Sequence, residues 1–88
     1  MDFRISPDLE KELKKIKTRN LHLLEQIQKQ LTLFKQNHKH PSLRLHKLTG
    51  NLNNFWSISI DRKIRMLFVL DDEEAYFFDI GTHDDVYR

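Results

Sequence analysis

The spacing of apolar residues changes once along this chain, and the change falls at Pro41. From Leu9 to Phe34 apolar residues recur every three or four positions, the period of a helix with one buried face. Beyond Pro41 they alternate, the period of a strand covered on one side. The helical part has its own punctuation. Ser6-Pro7 predicts a helix start, with Ser as cap and Pro in the first helical position. Leu9, Leu13 and Ile16 form the buried stripe of this helix, and Asn20 offers a second cap. Leu21, Leu24, Ile27, Leu31 and Phe34 form the stripe of a second helix, and so short a joint predicts an antiparallel hairpin. Phe3-Arg4-Ile5 before the first cap reads as a short strand.

After Pro41, segments 43–48, 55–60, 64–70 and 74–80 read as strands with tight connections. The expected architecture is α+β: an N-terminal strand and a helical hairpin packed on a twisted antiparallel sheet, one domain over residues 1–88. Two registers of the last hairpin differ in which faces they build. Pairing Leu70 with Glu74 gathers Trp56, Ile58, Ile60, Ile64, Met66, Phe68, Tyr76, Phe78 and Ile80 on one uncharged face and sets Arg65 across from Asp79. Pairing Leu70 with Ala75 would put Asp79 into the core, where an unpaired carboxylate is costly, so the first register is expected.

Composition narrows the function classes. At 88 residues, against a typical single core of about 100 to 150, the chain cannot be divided into two domains. It has no cysteine, which excludes disulfides, thiolate metal sites and thiol catalysis, and with two glycines it offers no phosphate-cradling loop. No cofactor or metal is expected. The longest apolar run, Met66 to Leu70, is far short of the roughly 20 residues of a membrane span, and the start lacks a signal-peptide core. We expect a cytoplasmic protein with no membrane contact. The overall charge of +2 hides an asymmetry: residues 1–50 carry eleven Lys/Arg against five Asp/Glu, and residues 51–88 four against eight. The basic half is a candidate surface for a polyanion.

Two histidines and an arginine carry the chemistry this chain can do. His46 and His83 are imidazoles, able to exchange protons near neutral pH, and Arg65 can hold a phosphate through paired hydrogen bonds. Together they would suffice for metal-free RNA cleavage by a ribose 2′-hydroxyl. The competing reading makes both histidines ordinary surface residues and Arg65 a partner of Asp79. Tyr87 is either an apolar plug at the end of the sheet or a platform for an unpaired base. Arg44, Lys47 and Lys63 are candidate RNA-backbone contacts. His38 and His40 are a loop pair without a third metal ligand.

Leu45-His46-Lys47-Leu48-Thr49-Gly50, then Phe55-Trp56-Ser57-Ile58-Ser59-Ile60, then Ile64-Arg65-Met66-Leu67-Phe68, and finally Gly81-Thr82-His83-Asp84-Asp85-Val86-Tyr87 stand in an order that resembles the RelE/ParE superfamily of bacterial toxins, most closely its YafQ branch. The resemblance spans nearly the whole chain. It implies the toxin of a type II toxin-antitoxin module, an endoribonuclease that cuts messenger RNA on the 70S ribosome, with a cognate antitoxin protein as partner. His46, Arg65, His83 and Tyr87 match that family's catalytic positions. Ser59 stands where many relatives carry a basic or histidine side chain, Lys63 near an aspartate of the YafQ branch, and Asp79 where relatives have an arginine. Two alternatives stay open: a ParE-like inhibitor of DNA gyrase, and a catalytically inactive module that only binds antitoxin.

Overall fold

The computed structural model describes residues 1–48 and 54–82. Strand β1 (Phe3–Ile5) leads into helix α1 (Pro7–Arg19), where the Ser6 hydroxyl accepts the Leu9 amide at 3.1 Å and Pro7 starts the first turn. Asn20 serves both helices. Its own amide donates to the Ile16 carbonyl at 2.7 Å, ending α1, and its side-chain oxygen accepts the Leu23 amide at 3.1 Å, starting α2 (Leu21–Asn37). Leu21, expected in the buried stripe, is 56% exposed in the first turn, while Leu23 and Leu33 pack against the core.

Past α2 the chain makes one 3₁₀ turn, Pro41–Leu43, which buries Leu43. Strand β2 is therefore only His46–Lys47, shorter than the expected 43–48 because Pro41 commits its neighbours to the turn. Then follow β3 (Trp56–Ser59), β4 (Ile64–Asp71) and β5 (Glu74–Thr82). These form one sheet in the order β1-β5-β4-β3-β2. The sheet is mixed rather than wholly antiparallel, since β1 lies parallel to β5, Phe3 opposite Ala75 and Ile5 opposite Phe77.

The last hairpin departs from the expected register. Near the turn Leu70 pairs with Ala75 and Phe68 with Phe77, which is the register the sequence argument rejected. Between Phe68 and Leu67 the pairing slips, so that Leu67 faces Asp79 and Met66 faces Ile80, with Phe78 the extra residue of a bulge. The bulge inverts which residues face inward: Ala75 and Phe77 before it, Ile80 after it. Tyr76 and Phe78, expected in the main core, face elsewhere. Asp79 stays exposed because the bulge, not the register, keeps it from the interior.

The helices cover one face of the sheet. Phe34 of α2 sits at the centre, fully buried, with Phe68 and Phe77 edge-on at 5.3 Å each and Phe3 at 6.3 Å. Aromatic edges meeting faces add to the area term. On the opposite face a small second cluster, Leu48 and Leu67 with Phe55 and Phe78, closes over the sheet, and the two Phe rings lie 4.9 Å apart. No helix among the described residues is long and apolar enough to cross a membrane.

Candidate active site on the open sheet face

The face turned away from the helices carries the candidate chemistry. His46 of β2 pairs with Ser57, Ser57 with Leu67, and Leu67 with Asp79; the adjoining row runs Ser59, Arg65, Gly81. Side chains two residues apart share a face, so His46 and Arg65 project from the same side. They are two strands and two residues apart, about 12 Å between backbones from ordinary sheet spacings. That gap suits a phosphodiester reached from both sides. Its floor is made by Ser57 and Leu67, both buried, and by the small apolar cluster beside them.

His46 is oriented from behind. Its ring Nδ1 lies 3.1 Å from the Arg44 carbonyl oxygen, and a carbonyl can only accept. In the neutral ring the proton therefore sits on Nδ1 and the basic lone pair on Nε2, the arrangement a positioned base needs.

Arg65 is held by a backbone group as well. Its Nη1 donates to the Asp61 carbonyl at 3.0 Å, and Asp61 in turn accepts the Lys63 and Ile64 amides on Oδ1 at 2.8 Å each. The β3–β4 turn is thus a fixed abutment for the guanidinium. The expected opposition of Arg65 and Asp79 is overturned: Arg65 stands across from Gly81, which has no side chain, while Asp79 faces Leu67 and uses Oδ1 to accept the Ile80 amide at 2.9 Å. Two shifts of one residue each are the reason: the turn pairs Leu70 with Ala75 in place of Glu74, and the bulge at Phe78 advances the strand by one more. Asp61 is a site residue the sequence argument missed, and its signal was legible: an Asp opening a three-residue turn accepts amides two and three positions on.

The remaining candidates divide. Arg44 is exposed just before β2, in the left-handed region (φ 46°, ψ 45°). Lys63 is exposed in the β3–β4 turn, near Arg65 in sequence. Lys47 pairs with Trp56, whose side chain packs on the helical core, so the register turns Lys47 to the other face from His46. Strand β5 carries the chain to Thr82, opposite Ile64, one residue short of His83. His83, Tyr87 and Thr49-Gly50 lie outside the described residues.

Comparison with known proteins agrees with this architecture. The family model described as "Bacterial toxin of type II toxin-antitoxin system, YafQ" matches residues 1–88. A curated relative, "Putative toxin RelE4" from Methanocaldococcus jannaschii, is 29% identical over 89 residues, covering 99% of this chain and 90% of the relative. Among solved structures, YafQ from E. coli strain BL21(DE3) superposes with a TM-score of 0.77 at 17% identity, covering 99% of this chain and 98% of that one. The toxin fold is also matched in complexes: a chain of the E. coli DinJ-YafQ complex at TM-score 0.75 and 18% identity (99% and 98% covered), and one of the YoeB-YefM complex from Staphylococcus aureus at 0.74 and 20% (94% and 97%).

Proposed function

The chain belongs to the YafQ family of bacterial type II toxin-antitoxin toxins, and from that premise we propose that it is a messenger-RNA endonuclease that works on the ribosome and is silenced by an antitoxin protein. The observation that carries the proposal is the pairing of an oriented imidazole with an anchored guanidinium on one open sheet face.

In this reading His46 Nε2 removes the proton from a ribose 2′-hydroxyl, and the freed oxygen attacks the adjacent phosphorus. The P–O5′ bond breaks, and the 5′ oxygen takes its proton from a protonated His83. The products are a 2′,3′-cyclic phosphate and a 5′-hydroxyl. Arg65 binds the non-bridging oxygens as charge builds on the phosphorane, where a preorganised donor is worth most. Tyr87 stacks on a base, and Lys63, in the turn beside Arg65, contributes positive charge, whereas Lys47, turned to the other face, takes no part. A site with so few fixed groups gains much from a ribosome that delivers the substrate already positioned. The E. coli DinJ-YafQ and S. aureus YoeB-YefM complexes support an antitoxin as the partner of this chain.

The test adds purified protein to translating ribosomes and, separately, to naked messenger RNA, and maps new 5′ ends. We expect codon-phased cuts on ribosomes, lowered roughly 10²- to 10⁴-fold by His46→Gln or His83→Ala, the usual contribution of a general acid or base. No cuts in either setting would overturn the nuclease reading, and gyrase supercoiling would then be assayed.

A further inference from the structure

Around the edge of the sheet from the candidate site, between α2 and the β3–β4 turn, lies an open groove of about 630 Å³. Its walls carry four basic residues, Lys29 from α2, His40 and Arg44 from the two ends of the 3₁₀ turn, and Arg62 from the β3–β4 turn. Among the described residues, Lys29, Arg44 and Arg62 form no ion pair. The groove's carboxylate, Asp61, already receives two backbone amides on one oxygen, which disperses its charge. His40 accepts the Ser42 amide on Nδ1 at 3.1 Å, so its neutral ring keeps the proton on Nε2 as a donor.

Two further observations point to a ligand. Ser59 lines this groove, is 5% exposed, and its hydroxyl has no hydrogen-bond partner. A buried hydroxyl without a partner is rare and asks for a reason. Arg44 occupies a left-handed backbone conformation that glycine would adopt at least cost, yet the position carries a guanidinium. The groove also joins the candidate site. Arg44 supplies the carbonyl that holds the His46 ring, Ser59 pairs directly with Arg65, and Asp61 anchors Arg65.

We propose that this groove is a second phosphodiester-binding surface, seating the backbone of the RNA strand beside the cleavage point, with Lys29, Arg44 and Arg62 on phosphate oxygens and the Ser59 hydroxyl as a short-range donor. The proposal rests on the endonuclease reading for its partner. It explains a buried Ser59 hydroxyl without a partner and a cationic wall built from both halves of the sequence.

The experiment measures binding of a short single-stranded 2′-O-methyl RNA by fluorescence anisotropy across a salt series. The blocked 2′ position prevents cleavage, so binding is read whether or not the chain is a nuclease. Lys29→Gln with Arg62→Gln, both exposed positions, should lower the slope of log affinity against log salt by about 1.4, from about 0.7 per phosphate contact on a single strand, and weaken binding roughly tenfold at physiological salt. Ser59→Ala should weaken binding while leaving the melting temperature unchanged or higher, since it removes an unpaired buried hydroxyl. An unchanged slope and affinity in the double variant, or a loss confined to antitoxin binding, overturns the proposal. Codon-phased cutting that persists beside an unchanged slope would reject the groove alone; a normal slope change without any cutting would reject the nuclease alone.

Discussion

His38 shows how one side chain records its surroundings. Its ring packs edge-on against Phe34 at 6.0 Å, and burial first, then the Met1 ammonium and Lys39, hold its pKa below the ordinary histidine value. A depressed pKa means that the unfolded chain binds the proton more readily. Stability is therefore fully present above about pH 6.5, the unfolded value, and falls as the pH drops through it toward the folded one. Thermal unfolding from pH 8 to pH 5 should show a drop in melting temperature that His38→Gln reduces; identical profiles would remove His38 as the cause. At this scale much was legible beforehand. The caps at Ser6 and Asn20 follow from residue type, and Arg65 on the face away from the helices follows from alternation. The partner of Arg65 did not, because whether Asp79 or Gly81 stands opposite depends on a slip in another strand.

That slip belongs to the scale of the element. Alternation alone assigns a strand one phase, and the sequence 74–80 permits either: Tyr76, Phe78 and Ile80, or Ala75 and Phe77. The fold uses both phases, joined by the bulge at Phe78, so the second half of β5 obeys the expected pattern and the first half inverts it. A template without bulges could satisfy Asp79 only by misplacing the aromatics. Phe77→Ala should accordingly cost about 3 to 5 kcal/mol in denaturant unfolding, the usual range for emptying a core aromatic site. Phe78, half-buried in the small cluster, should cost clearly less on the same substitution. Equal or reversed losses would restore the continuous register. The β4–β5 turn has its own fastening, in which Arg4 pairs with Asp71 and Glu74 and lies over the Tyr76 ring at 4.8 Å. The bond to Glu74 is the main reason its pKa is raised.

For the whole molecule, the sequence suggested a basic first half and an acidic second half, and the fold redraws that boundary. Arg62 and Lys63 come from the acidic half but sit with Asp61 at one end of β4, while Asp71 to Glu74 lie at the other. The charge separation runs along a strand, not along the chain. Strand existence and the helical hairpin were readable from local patterns; the parallel pairing of β1 with β5 was not, because nothing local to Phe3–Ile5 encodes a partner about seventy residues away. That pairing has a consequence in time. During synthesis at about 5 to 20 residues per second, β1 waits roughly 4 to 14 s before residues 75–77 exist to receive it. Through that interval Phe3 and Phe34 lack Phe77, and the core stays open. Nascent chains stalled after Glu74 should remain protease-sensitive, with resistance appearing only once β5 has emerged; early resistance would show that α1, α2 and β2–β4 close without it. A protein proposed to attack ribosomes thus stays unassembled for most of its own translation, and the delay is a window in which a partner already made can meet it before it becomes active.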